Sequence, residues 1–147
     1  MSLGMLVLVP ACTTMEDISN RDCVPLRTPL EVPTERPTYL YDENGDGILD
    51  LADAVWVGYR TSESGFQEKI THQPLAELPV GTRLNLERVK RGDTWTATGV
   101  IEVQGSLIYD GERRQFKYTW GVGEEISAAP WESSSREPRV FDRDVSC

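Results

Sequence analysis

Apolar and polar residues alternate with a period of two along most of the C-terminal half of the chain, the signature of strands with one buried face. Trp95, Ala97, Gly99, Ile101 and Val103 share one face of an expected strand, while Thr94, Thr96, Thr98 and Glu102 share the other. Phe116, Tyr118 and Trp120 alternate in the same way with Gln115, Lys117 and Thr119. Between these strands, Leu107 and Tyr109 run into Asp110-Gly111, the dipeptide best suited to a two-residue hairpin turn. Arg91-Gly92-Asp93 is expected to close a second hairpin, joining a strand over Thr82 to Lys90 with one over Thr94 to Val103. Leu84 and Leu86 share a face and Val89 breaks the parity, which predicts a bulge near Glu87 or Arg88. With Val55 to Arg60 and Phe66 to Thr71 the pattern gives five or six strands in meander order: a mainly β, small curled antiparallel sheet or barrel.

The N-terminal third follows no such pattern. Pro25, Pro29, Pro33 and Pro37 stand four apart, separated largely by Thr, Glu and Arg. Proline fixes φ and pushes its predecessor toward extended geometry, so residues 12–37 read as a tether in extended chain. Residues 1–11 read as a signal-like segment and residues 38–147 as the β domain. At most one short helix is expected, over Leu51 to Tyr59, where Val55-Trp56-Val57-Gly58-Tyr59 leans toward strand.

With 147 residues, 39% of them apolar, the chain can fill one core. Its net charge of −9 disfavours nucleic acid and anionic membrane surfaces as electrostatic partners. The acidity is local: Thr38 to Tyr59 holds five acids and no Lys or Arg, whereas Val80 to Trp120 holds seven bases and five acids. The apolar run Leu3 to Val9 is far shorter than the roughly 20 residues of a spanning helix.

Val9-Pro10-Ala11-Cys12, at the end of that run, resembles the lipobox of bacterial lipoproteins, with Pro10 where a small residue is usual. The resemblance implies lipid on Cys12 and a place in the bacterial cell envelope, on the periplasmic face of a membrane, the outer membrane being preferred because Thr13 is not the Asp of inner-membrane retention. It leaves Cys23 and Cys147 as an even pair in an oxidising compartment, where they would form a disulfide. Without the lipoprotein location the alternative is two free thiols. A bridge closing so long a loop would contribute on the order of 4–5 kcal/mol in the chain-entropy picture.

Asp42-Glu43-Asn44-Gly45-Asp46-Gly47-Ile48-Leu49-Asp50-Leu51-Ala52-Asp53 carries the strongest chemistry in the chain. Oxygen-bearing side chains at loop positions 1, 3, 5, 9 and 12, with glycine at 6, resemble the calcium loop of EF-hands and, more closely, dockerin repeats. The resemblance implies calcium as cofactor, with Asp42, Asn44, Asp46, Asp50 and Asp53 as side-chain ligands and Ile48 contributing its carbonyl. The match departs at Asp53, shorter than the usual Glu, and at Ala54, and there is no second copy.

Leu78-Pro79-Val80-Gly81-Thr82 before a strand, with a later strand Trp, resembles SH3-like and OB-like small barrels. Trp56, Trp95, Trp120 and Trp131 are expected mainly as core or rim aromatics, with sugar or peptide stacking open to any that are exposed. His72 is the only histidine, in a loop with no nucleophile motif nearby, and no zinc spacing, phosphate loop or nucleophile elbow is present. The sequence therefore reads as a non-enzymatic, envelope-anchored lipoprotein with a structural calcium loop and a binding or scaffold role toward an envelope protein or cell-wall partner. The alternatives are a dockerin-like, calcium-dependent docking module and, behind it, a hydrolase working through carboxylates.

Overall fold

The computed structural model describes residues 15–94, 97–123 and 125–133, and the backbone of 139–140. Three long strands form its centre: β8 (Arg83–Gly92), β9 (Val100–Tyr109) and β10 (Glu112–Val122), paired antiparallel in that order. Asp110 and Gly111 turn β9 into β10 with φ of 51° and 77°, the left-handed pair that this hairpin requires. Phe116, Tyr118 and Trp120 are buried on one face of β10, as their alternation predicts. The β8–β9 register shifts between Leu86 and Arg88, so the bulge falls at Glu87 and returns Val89 to the buried face with Leu84 and Leu86. Opposite the bulge, Gly105 cannot be replaced by a larger residue: a Cβ there would lie 2.0 Å from the Asn85 carbonyl oxygen and 2.9 Å from the Phe116 ring.

The acidic segment forms a hairpin of its own, β3 (Thr38–Tyr41) with β4 (Ile48–Ala52), and β7 (Ala76–Leu78) pairs with the outer edge of β3. Strand β4 then joins β10 in parallel, Ile48 opposite Gln115, Leu49 opposite Phe116 and Asp50 opposite Lys117. This pairing corrects the expected meander. The sheet is mixed, and it is not a closed SH3-like or OB-like barrel. Leu49 and Leu51, at 0% and 3% exposure, form the buried face of a strand inside the segment that resembles a calcium loop, where the sequence pattern points to ligands and at most a short helix from Leu51. Alternation shows which face of a strand is buried and is silent about its neighbour. No helix occurs among the described residues, and Val57–Thr61 (β5) pairs instead with Gln67–Thr71 (β6) in a separate two-stranded ribbon.

A second correction concerns the segment read as a tether. From residue 15 it is part of the sheet: β1 (Met15–Asp17) pairs with the C-terminal end of β8, and β2 (Leu30–Pro33) with its N-terminal end. Ile18, Val24 and Leu26 are buried in the core, and Ser19 accepts the Val89 N–H at 2.8 Å through its hydroxyl. The prolines do not prevent this, because a strand end or an edge strand can do without an N–H, and apolar side chains before and between them supply the burial. A third correction is the connection from β8 to β9. Strand β8 runs on through Gly92, β9 begins only at Val100, and between them Asp93 accepts the Gly99 N–H at 2.9 Å. Of the residues assigned to a strand beginning at Thr94, Trp95 and Thr96 lie outside the described ones. Two short strands, β11 (Glu125–Ile126) and β12 (Arg139–Val140), extend the end of β10.

Thr34, 1% exposed, fastens the turn before β8 to the end of β2. Its N–H donates to the Thr82 carbonyl at 2.9 Å and its carbonyl accepts the Gly81 N–H at 2.8 Å. Its hydroxyl donates to the Pro79 carbonyl and accepts the Thr82 N–H, both at 3.1 Å. Thr34→Val keeps the shape and removes both hydroxyl bonds; urea unfolding is expected to show a loss of about 1–2 kcal/mol.

Candidate functional site

The acidic string is first of all a turn. Asp46 accepts the Ile48 N–H at 3.0 Å, and Gly45 and Gly47 adopt φ of 61° and 83°, so the chain reverses within residues 42–47 and enters β4 at Ile48. That early closure separates the expected calcium ligands. Asp42, Asn44 and Asp46 stay exposed on the turn. Ile48 opens a paired strand, Asp50 lies opposite Lys117 with its carboxylate 3.6 Å from the ammonium, and Asp53 binds the Arg36 guanidinium at 2.9 Å. Glu43 faces His72 at 3.5 Å. Among the described residues no three Asp, Glu, His or Cys side chains lie close enough to share a metal ion. Calcium takes six to eight oxygens, and in this conformation the predicted set does not form such a shell.

What the fold builds instead is a cleft. The β4–β10 pairing ends at Asp50 and Lys117, and around and beyond that point a cavity of about 260 Å³ is lined by Asp50, Asp53, Trp56, Lys117, Thr119 and Ser127, with Leu51, Ala52 and Tyr118. Trp56 is held firmly: its ring stacks on Tyr41 at 4.1 Å and 5°, its backbone N–H donates to the Tyr41 hydroxyl at 2.9 Å, and that hydroxyl donates to the His72 carbonyl at 3.3 Å. Arg36, which holds Asp53, also donates to the Ala128 carbonyl.

Burial pushes the Asp50 carboxyl above the ordinary carboxylate range; Lys117 opposes the shift, and the charges of Glu43 and Asp46 reinforce it. Burial likewise raises the Tyr118 phenol, with the charge of Asp53 adding to the effect, so both sides of the cleft resist further negative charge.

No known family matches the chain, nor does any curated protein or solved structure. Of the expected metal ligands, the structure brings Asp50 and Asp53 into one cleft and leaves the other four on or beside the turn. Sequence reading missed Lys117, Arg36 and Ser127. Lys117 was placed on the polar face of its strand, but nothing in the spacing indicated that β4 would lie beside it. Cys23 is buried and disulfide-bonded. Cys147, its expected partner, and the lipid-bearing Cys12 lie outside the described residues, as does the signal-like segment 1–11.

Because the folded-state pKa of Asp50 is raised, the folded chain holds that proton more tightly than the unfolded chain, and ionised Asp50 is a net cost above that pKa. Asp50→Asn, a neutral isostere, is expected to raise the thermal midpoint at pH 7 and to shrink the gain in stability that the wild type shows as pH falls toward the carboxylate range. Thermal melts of both proteins from pH 7 to 4 check the sign.

Proposed function

We propose that the chain is a lipid-anchored, non-catalytic binding protein of the bacterial envelope, held at the periplasmic face of a membrane through Cys12, with the β sheet as its working body. The observation that carries the reading is the Val9-Pro10-Ala11-Cys12 string behind an apolar run. What supports it from the fold is position: Met15, three residues on, is already paired with Gly92, so the anchor precedes the folded body directly. The buried disulfide at Cys23 suits an oxidising compartment, and Cys147 is the partner left over once Cys12 carries lipid. Expressed in a bacterium with an envelope export pathway, the protein is expected in the membrane fraction with the mass of an acylated Cys12 and a Cys23–Cys147 bond. Cys12→Ser is expected to move it to the soluble fraction. An unmodified Cys12 in a soluble full-length chain overturns the proposal.

A second reading keeps calcium and is favoured by Gly47, whose φ of 83° gives the turn that position 6 of such a loop requires. Calcium would have to draw Asp50 and Asp53 away from Lys117 and Arg36, so it would bind weakly, at about 10⁻⁴–10⁻³ M as in extracellular modules. In that range about 10 mM calcium stabilises the fold by about 1.4–2.7 kcal/mol, and Asp42→Ala with Asp46→Ala abolishes the gain. A thermal midpoint unmoved by millimolar calcium removes this reading, and with it a dockerin-like docking role.

A further inference from the structure

The cleft between β4 and β10 has a feature that neither the anchor nor the calcium reading uses. Asp50 and Lys117 form an ion pair at 3.6 Å, longer than a well-formed hydrogen bond between charged groups, so most of the bonding capacity of each is left for a ligand. A carboxylate offers about four lone-pair sites and an ammonium three donors. Two adjacent groups, one only accepting and one only donating, are matched by adjacent hydroxyls, since each hydroxyl can donate to Asp50 or accept from Lys117. A ligand bearing net charge is matched poorly, because it meets its own sign beside the opposite one. Trp56 lines the same cleft, its ring fixed by the stack on Tyr41, and offers an apolar surface for the C–H face of a saturated ring. Thr119 and Ser127 add hydroxyls at the rim. At about 260 Å³ the cavity lies just under the range of drug-sized pockets and suits a single ring.

We propose that this cleft binds a neutral sugar unit, a hexose or N-acetylhexosamine of an envelope glycan, with Trp56 as platform and Asp50 and Lys117 as the paired acceptor and donor. The proposal deepens the binding role above and rests on it, naming the ligand class. The test is isothermal titration of the full-length protein, in a detergent without a sugar headgroup, with N-acetylglucosamine trimer, cellotriose, glucuronic acid and inorganic phosphate as separate probes. At least one neutral oligosaccharide is expected to bind saturably in the millimolar range typical of one small ring. Trp56→Ala and Lys117→Gln are expected to weaken it at least about tenfold, and Tyr59→Ala, on the exposed ribbon, to leave it unchanged. Should Trp56→Ala fail to fold, displacement of the Trp56 indole N–H resonance in the wild type on adding the trimer supplies the same information. No saturable binding of either neutral oligosaccharide at about 10 mM overturns the proposal. So does binding that survives Lys117→Gln, or tighter binding of glucuronic acid or phosphate. Absence of sugar binding with acylated Cys12 present removes the ligand assignment alone; absence of acylation removes the anchor and leaves the titration to stand on its own.

Discussion

Three opposed pairs, Ile48 with Gln115, Leu49 with Phe116 and Asp50 with Lys117, join the acidic hairpin to the long meander. Without them the molecule would be two antiparallel units with unsatisfied edges. Because the contact is parallel, it fixes both the direction in which β4 leaves the joint and the cleft at that joint. It is anchored by burial rather than by charge: Leu49 and Phe116, at 0% and 1% exposure, sit side by side in the core, and the polar pair follows from their register. The Asp50–Lys117 contact is thus a consequence of packing, which explains why its geometry is loose and why its carboxyl is desolvated without full compensation.

Local rules were legible in the sequence wherever a residue's own preferences decided the outcome. Asp110-Gly111 turns because those residues tolerate left-handed backbone, and the break in parity from Leu86 to Val89 located the bulge because a side chain must face the core. The β-rich class followed from the same alternation. Legibility failed where the outcome depended on a partner distant in sequence. Pro25 to Pro37 reads as spacer because proline excludes helix, yet exclusion of helix does not imply absence of packing, and Val24 and Leu26 bury on either side of Pro25. Likewise β4 lay hidden inside a ligand-like loop pattern, and neither its strand nor its place beside β10 could be read from that pattern.

The acidic string shows the same division within twelve residues. Its first half behaves as its composition dictates, an Asp-capped turn with glycines where φ is positive. Its second half is governed by side chains from elsewhere, Lys117 for Asp50 and Arg36 for Asp53. A linear ligand pattern counts oxygens and their spacing. It carries no information about the burial and the cations that the fold brings to the same oxygens, Lys117 at Asp50 and Arg36 at Asp53.

The β5–β6 ribbon has a different status from the rest of the sheet. It pairs with itself, exposes Tyr59 and Phe66 at 68% and 74%, and is held at its base through the Trp56–Tyr41 stack. Two strands alone are marginally stable in water, so its opening free energy lies well below that of the central strands. The molecule therefore contains two clocks, a slow one for the sheet and a fast one for the ribbon, and amide exchange would tick at both rates within a single folded chain.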